Sequence, residues 1–383
     1  MALHVPFLRC ALAAACAGGL FTGCASRQPA PTVKAAPPSG PQAGFDADYA
    51  AWSGLGYRLD WSGFPFPGLA THRTKDMVAY QDVLAILDSS SNFALLETST
   101  GERRWATELA NPLTKFVAVS RDPLDQGRLV VSSQSEAYVL AVATGTLLDR
   151  EQFSRVVSTR PVIAGNIMIF GSIAGEVVGH LLGRNLRSWA FQGRGSFTSD
   201  PVRLADGTVG IASQSGDVLF LTPRGQLVGR GSILGGLASH PVTDGNLLFI
   251  AGLDQSVWCF APSGANIWRH RTSSQLRAQP THLNGVLYCS IPREGLTSFE
   301  AMTGKVLWSN PKVAGTVIGT RDGRALVWDA AAPSLTTIDP VDGEIIETIQ
   351  LPGVTTIVTD ATDNPNLYAM TASGVVGKFI PNN

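Results

Sequence analysis

Four polar residues precede prolines at almost constant spacing along the chain. Arg160, Asp200, His240 and Gln279 lie 40, 40 and 39 residues apart, each directly before a proline. In a repeated fold this spacing predicts equivalent positions in consecutive repeats, near one mouth of a central channel. The set could form a ring that binds a ligand, or it could be the solvated ends of inner strands. A site for phosphate or carboxylate groups would collect several Arg or Lys side chains, so the mixed charges favour solvated ends.

Other residues that could do chemistry lack the spacing that such chemistry requires. The sequence has no G-x-S-x-G nucleophile motif, no Cys-x-x-Cys pair and no Cys/His cluster with zinc spacing. Cys259 and Cys289 lie within apolar runs, which favours buried free thiols over the alternative of a disulfide. The net charge of -1 argues against a polybasic nucleic-acid-binding protein. We predict a protein that is not an enzyme and that holds no metal or cofactor.

The N-terminus has the features of a secretory signal. A basic residue, Arg9, precedes the run 10–21 of apolar and small residues, which is too short to span a bilayer. The following Thr22-Gly23-Cys24 resembles the end of a bacterial lipobox, in which the cysteine is acylated and becomes the mature N-terminus. The alternative is an ordinary signal peptide with an incidental cysteine. We predict a lipoprotein signal peptide at residues 1–23 and a lipid on Cys24.

The segment after the cysteine has the composition of a tether. Residues 25–44 contain five prolines and no acidic or aromatic residue, so they cannot bury enough apolar surface to fold. We predict a disordered tether over residues 24–44 and a folded domain over 45–383. Because Ala25 rather than Asp follows the cysteine, the outer membrane is the predicted anchor site, with the domain in the periplasm.

The folded part repeats about every 40 residues. A turn that contains glycine recurs, often with Trp four residues later, at Thr100-Gly101, Thr144-Gly145, Arg224-Gly225, Ser263-Gly264, Thr303-Gly304 and Asp342-Gly343. In the third repeat Asn185 takes the place of the glycine. Short alternating runs of apolar and β-branched residues lie between these turns, which is typical of strands. Four strands in each repeat predict the blades of a β-propeller.

The two ends of the chain predict how the ring closes. Seven signals for an outer strand lie between residues 101 and 347. An eighth, Gly56 to Trp61, has no strands before it, and the C-terminal segment 353–380 has three strands and no outer one. We therefore predict an all-β, eight-bladed β-propeller of four-stranded blades. Its N-terminal strand completes the C-terminal blade.

Two repeats resemble the signature of quinoprotein-type (PQQ-like) propellers. They run from Leu95 to Trp105 and from Ser298 to Trp308. In that family the Trp packs between neighbouring blades, which implies a structural role for Trp61, Trp105, Trp189, Trp268 and Trp308. The dehydrogenases of this superfamily hold the quinone with Ca²⁺, a catalytic Asp and usually adjacent cysteines, whereas this chain has no Cys-Cys pair.

The chain is also similar in length, anchoring and repeat number to the BamB family of outer-membrane lipoproteins. That resemblance implies a non-catalytic, lipid-anchored periplasmic scaffold for protein partners, in the assembly of outer-membrane β-barrel proteins. Leu276-Arg277 is similar to the loop by which BamB-like proteins hold the insertase. The family loop has Gly and Ser where Ala278 and Gln279 stand here.

Two other functions stay open on the sequence. One is a PQQ- and Ca²⁺-dependent dehydrogenase. The other is a propeller that binds glycan or peptidoglycan, which exposed rings at Trp52, Trp258 or Trp328 would favour because sugars stack on such rings.

Overall fold

The computed structural model describes residues 49–66 and 74–382. The predicted signal peptide, Cys24 and the tether lie outside the described residues. Helix α1 (Tyr49–Gly54) and strand β1 (Tyr57–Gly63) come first, and 31 further strands follow in the described part of the chain. Its helices include none that is long and apolar enough to cross a bilayer.

The strands form eight antiparallel sheets of four, here called blades 1 to 8. Blade 1 comprises β2 (Thr74–Ala79), β3 (Val83–Asp88), β4 (Asn92–Glu97) and β5 (Arg103–Glu108). Blade 2 comprises β6 (Phe116–Arg121), β7 (Arg128–Ser133), β8 (Glu136–Ala141) and β9 (Leu147–Gln152). Blade 3 comprises β10 (Val162–Ala164), β11 (Ile167–Gly171), β12 (Glu176–Leu181) and β13 (Leu186–Gln192). Blade 4 comprises β14 (Val202–Arg203), β15 (Val209–Ala212), β16 (Asp217–Leu221) and β17 (Leu227–Ser232).

The second half of the ring repeats this plan. Blade 5 comprises β18 (Val242–Thr243), β19 (Leu248–Gly252), β20 (Ser256–Phe260) and β21 (Asn266–Arg271). Blade 6 comprises β22 (Thr281–Leu283), β23 (Val286–Ile291), β24 (Gly295–Glu300) and β25 (Val306–Asn310). Blade 7 comprises β26 (Thr316–Arg321), β27 (Arg324–Asp329), β28 (Ser334–Ile338) and β29 (Ile345–Gln350). Blade 8 comprises β30 (Val354–Thr359), β31 (Leu367–Thr371), β32 (Val376–Pro381) and the N-terminal β1.

The hydrophobic core lies between blades rather than inside one of them. The two middle strands of each blade are buried on both faces, as in β3, where all six residues are buried. One core cluster joins Val83 and Phe93 of blade 1 to Leu129 and Tyr138 of blade 2. Because a single sheet cannot cover both of its own faces, the blades bury their apolar surface only as a closed ring.

The predicted closure by the N-terminal strand is confirmed. Strand β1 pairs antiparallel with β32, from Tyr57 opposite Pro381 to Gly63 opposite Val376. The Tyr57 hydroxyl donates to the carbonyl of Pro365 at 3.1 Å. The ring of Trp52 in α1 stacks on Phe379 of β32, with 3.6 Å between centroids.

A Trp of one blade packs on the turn glycine of the next blade. In blade 5 the Trp268 Nε1 donates to the carbonyl of Ala301 at 2.9 Å, and its indole covers Gly304 so closely that an added Cβ would overlap the ring. The same arrangement joins Trp61 to Gly101, Trp105 to Gly145, Trp189 to Gly225 and Trp308 to Gly343. The structural interpretation of these five Trp residues is confirmed.

The boundary between blades 2 and 3 has a polar cluster in place of this contact. The residue four positions after Gly145 is the exposed Asp149, and Glu151 points to the same side of β9. Its side chain is 1% exposed. Glu151 Oε2 lies 2.7 Å from Nε2 of His180, and its carboxylate accepts from the N–H of Gly183 at 2.6 Å and of Asn185 at 3.1 Å. A carboxylate thus holds the turn that an indole covers at five other boundaries.

Replacing Gly304 by Ala should destabilise the propeller for two reasons that a control can separate. Gly304 has φ +70, and its Cβ would overlap Trp268. Gly285 has φ +80 with no atom within 4 Å of the added Cβ. The positive φ costs Gly285→Ala about 1–2 kcal/mol, and overpacking should add about 1–3 kcal/mol for Gly304→Ala. Urea unfolding of both variants measures this difference, and equal losses would contradict the packing argument.

Candidate functional site at the channel mouth

The four residues that precede prolines are joined by hydrogen bonds around the inner strands. The N–H of Arg160 donates to Asp200 Oδ1 at 2.6 Å, and the N–H of Asp200 donates to His240 Nδ1 at 2.9 Å. The N–H of His240 donates to Gln279 Oε1 at 2.8 Å. The side chains of Asp200, His240 and Gln279 therefore each cap a backbone N–H of the preceding blade. We call this row, from blade 3 to blade 6, the belt.

The belt reaches across the channel to blade 1. Arg160 Nη2 lies 2.8 Å from Asp76 Oδ1 of β2, and Arg160 Nε lies 3.9 Å from Asp200 Oδ2. Asp76 was not singled out from the sequence because Met77 stands where blades 3 to 6 have proline. The following Val78 was the available signal, since Val also follows the proline in three of the blades that have it.

Within the belt, the carboxylate of Asp200 lies beside the side chains of both Arg160 and His240. Burial raises the pKa of the Asp200 carboxyl above its ordinary value, whereas the N–H of Arg160 and the charge of His240 act in the opposite direction. Arg160 and His240 remain about half exposed, at 48% and 46% of their side chains. The observed contacts show that the belt links the inner strands of neighbouring blades to one another. A ligand-binding role for these four residues stays the untested alternative to the predicted solvated strand ends.

A cavity of about 360 Å³ opens beside the belt. Arg160 forms one wall, and the others are formed by Thr74, Lys75, Asp76, Met77, Thr356 and Val358. The cavity therefore lies between the inner strands of blades 8 and 1, at the same mouth as the belt. Lys75 Nζ donates to the carbonyl of Phe116 in blade 2.

Only one residue of the predicted partner-binding pair Leu276-Arg277 is exposed. The side chain of Leu276 is 1% exposed and packs in the core between blades 5 and 6, in a cluster with Phe249 and Ile291. Leu276 is therefore corrected from a contact residue to a core residue, because its loop turns the side chain inward. Arg277 is exposed, with Nη2 on Gln275 Oε1 at 3.0 Å, and its role in binding stays a prediction.

Exposed apolar side chains lie on the side of the propeller where each outer strand passes to the next blade. We call this side the mouth face. Leu113 and Leu234 lie in such connections and are 86% and 77% exposed. Ile173, in the turn between β11 and β12, is 62% exposed. This turn belongs to the same face, because Gly193 of the next connection donates its N–H to Gly175 at 2.9 Å. These side chains are available on this face for contact with a partner.

Known proteins resemble this chain over most of its length. The sequence profile of the family described as "Outer membrane protein assembly factor BamB" matches residues 92–236 and 214–376. The chain belongs to the BamB family. A curated relative, outer membrane protein assembly factor BamB of Burkholderia pseudomallei strain K96243, is 21% identical over 324 residues, which cover 79% of this chain and 83% of that protein.

Two solved structures share the fold of this BamB-family chain. The crystal structure of BamB from Moraxella catarrhalis has a TM-score of 0.66 at 20% identity, covering 85% of this chain and 97% of that one. The computationally designed Ika8 protein also has a TM-score of 0.66, at 12% identity, covering 83% of this chain and all of that one. At these identities both matches carry the fold alone.

The exposed Trp rings that would favour glycan binding do not occur at the three expected positions of this BamB-family chain. Trp52, Trp258 and Trp328 are 1%, 8% and 7% exposed, so none offers a ring for sugars.

Cys259 and Cys289 are free and buried, and burial raises the pKa of both thiols to about 12. Both thiols are therefore protonated at neutral pH.

The channel does not fit a Ca²⁺-bound quinone. Calcium takes six to eight oxygen ligands, mostly from carboxylates and carbonyls. The cavity offers one carboxylate, Asp76, and Arg160 already holds one of its oxygens. No group of three acidic, His or Cys residues with metal-binding geometry occurs within residues 49–66 and 74–382.

Proposed function

We propose that this protein is a non-catalytic scaffold, anchored by lipid at the outer membrane, that binds protein partners in β-barrel assembly. The family membership carries the proposal, since the matched profile and the curated relative are both named as outer-membrane assembly factors. The mouth face supports it. A scaffold needs a surface that partners can bury, and this face exposes both large apolar side chains and Arg277.

The anchor is part of the proposal. A signal peptide over residues 1–23, a lipid on Cys24 and a tether over 24–44 would hold the propeller near the membrane while leaving its mouth face free. Cys24→Ser is expected to move the protein from the membrane fraction to the soluble periplasmic fraction. Mass spectrometry of the wild-type N-terminal peptide should find the acyl chains. Unchanged fractionation of the variant would contradict lipid anchoring.

Site-specific crosslinking tests the docking surface. A photoreactive residue at Leu234 should crosslink to a barrel-assembly subunit in native membranes, identified by mass spectrometry. Val341 is the matched control because it is 81% exposed but lies in the turn between β28 and β29, on the opposite face. Equal crosslinking at both positions, or none to an assembly subunit at Leu234, would contradict the proposal.

A dehydrogenase assay separates the scaffold from the enzymatic alternative. The purified protein is mixed with PQQ, Ca²⁺ and a redox dye, and alcohols or sugars are added. We expect no quinone-dependent dye reduction above the protein-free control. Turnover that depends on both PQQ and protein would overturn the non-catalytic assignment.

A further inference from the structure

The mouth-face segments of blades 4 to 6 form one continuous surface. The connection that enters each of these blades is hydrogen-bonded to the turn between the two middle strands of that blade. The N–H of Gln214 donates to the carbonyl of Ser196 at 2.8 Å, the N–H of Leu253 donates to that of Gly236 at 3.0 Å, and the hydroxyl of Ser273 donates to Glu294 Oε1 at 3.3 Å. The side chains of these segments therefore belong to one surface rather than to separate loops.

This surface carries cationic side chains that no carboxylate among the described residues neutralises. The exposed cations that belong to it and form no ion pair are Arg194, Arg271, Arg277, Arg293 and Lys312. We call them the cationic arc. The acidic residues Asp200 and Asp254 on the same side are already paired within the chain. Glu294 is the acidic residue of these connections and turns that forms no ion pair, so the arc keeps an excess of positive charge.

The opposite face of the same half of the ring has the opposite charge. Its turns join the inner strand to the second strand, and the third strand to the outer strand. Acidic residues predominate in these turns of blades 4 to 7, with Asp206, Asp244, Asp322, Asp339, Asp342 and Glu344 against Arg224 and Lys305. The excess of positive charge is therefore specific to the mouth face.

An exposed apolar group lies within the cationic arc. Leu234, which is 77% exposed, belongs to the connection between blades 4 and 5. The connections on either side of it carry Arg194 and Arg277. Protein interfaces combine an apolar centre with a polar rim and are enriched in Arg. The arc around Leu234 has both parts.

The N-terminal end of the described chain favours a protein over a lipid as the occupant of this surface. Every outer strand begins at the opposite face, and β1 is the outer strand of blade 8. Tyr57, the first residue of β1, therefore lies on the side away from the mouth face. The predicted anchor precedes this strand, so it leads into the opposite face and leaves the mouth face to a protein partner.

We propose that the mouth face docks an acidic surface of a protein partner, whose carboxylates pair with the cationic arc around Leu234. This inference rests on the proposed scaffold function and specifies the chemistry of its partner. Opposite charges across an interface speed association and exclude partners of the wrong charge. A basic partner on the same apolar contact would place like charges opposite each other, which is costly.

Charge reversal in the full-length protein in native membranes tests the inference. A photoreactive residue at Leu234 reports docking, as in the test of the scaffold, and Arg194→Glu and Arg277→Glu are introduced one at a time. Each reversal should lower the yield of the crosslink to the partner about fivefold or more, because it places like charges opposite each other. Arg224→Glu is the matched control, an exposed arginine without an ion pair on the opposite face, and should change the yield less than about twofold.

A compensating substitution in the partner completes the test. The crosslinked partner peptide is identified by mass spectrometry, and changing its acidic residue nearest the crosslink to Lys should restore the yield with Arg277→Glu. Thermal melting checks that each variant is folded. A crosslink that neither reversal weakens, that the control weakens equally, or that the Lys change does not restore overturns the acidic partner and leaves the scaffold standing. No crosslink at Leu234 in the parent protein contradicts both proposals.

Vesicle sedimentation separates an acidic protein surface from an anionic membrane. Protein without the signal peptide and with Cys24 replaced is mixed with vesicles of phosphatidylethanolamine and phosphatidylglycerol. We expect no sedimentation above the vesicle-free control. Sedimentation that Arg277→Glu abolishes would assign the cationic arc to lipid and overturn the inference.

Discussion

Deletion of residues 45–61 is expected to give aggregated or severely destabilised protein, whereas deletion of the tether 25–44 should leave stability almost unchanged. The first deletion removes α1 and most of β1, and so exposes the backbone edge of β32. Unpaired edges of this kind promote aggregation. It also removes Trp61, whose Nε1 donates to the carbonyl of Thr98 in blade 1 at 2.9 Å.

The size of this effect follows from the groups lost. Truncation of a core Trp to Ala alone costs about 3–5 kcal/mol, a large fraction of the about 5–15 kcal/mol that stabilises a typical domain. The stacking of Trp52 on Phe379 and the ladder between β1 and β32 are lost in addition.

Thermal melting of two deletion variants, both made without the signal peptide and with Cys24 replaced, measures the difference. Trp61→Ala is an intermediate variant that keeps the strand. If the protein without residues 45–61 melts like the full propeller, the N-terminal strand contributes nothing to closure.

The fold was predictable because its determinants are local and repeated. Each turn and the outer strand that follows it belong to one short segment, often with a Trp in that strand, and eight copies of that segment give the blade count. The closure of the ring followed from counting strands at the two ends of the chain. Gly56 to Trp61 is an outer strand without a blade, and segment 353–380 is a blade that lacks its outer strand.

The site was less predictable because its contacts join distant segments. The spacing placed Arg160 and Asp200 in neighbouring blades, but nothing local pairs Arg160 with Asp76, which is 84 residues away. Leu276 was expected at the surface because Leu276-Arg277 resembles the family's docking loop, yet the conformation of this loop buries the side chain. Whether a loop residue faces the solvent depends on packing that the repeat pattern does not encode.

The cluster around Glu151 is the clearest case of such hidden packing. The sequence shows only that blade 2 has Asp149 where five other blades have Trp and that Asn185 replaces the turn glycine. In the structure both differences from the repeat belong to one hydrogen-bonded cluster, which takes the place of the Trp–Gly contact. Asn185 has φ +49, its N–H donates to Glu151, and its Oδ1 accepts from the N–H of Gln152 at 2.9 Å.

Glu151→Ala is therefore expected to destabilise the propeller by about 3–5 kcal/mol, because each buried donor that is left without an acceptor costs about 1–3 kcal/mol. The variant leaves His180 Nε2 and the N–H groups of Gly183 and Asn185 without their acceptor, in a boundary where His180 is 2% exposed. Urea unfolding followed by Trp fluorescence measures the loss of stability.

A surface pair provides the control for this prediction. Glu176 pairs with Arg155 through side chains that are 16% and 43% exposed, so Glu176→Ala should cost no more than about 1 kcal/mol. Glu151→Gln separates shape from charge, because the amide keeps one oxygen acceptor and the volume of the side chain. We expect its loss to lie between those of the two Ala variants. If Glu151→Ala costs no more than Glu176→Ala, the boundary between blades 2 and 3 is held by apolar packing around His180, and the carboxylate does not replace the Trp contact.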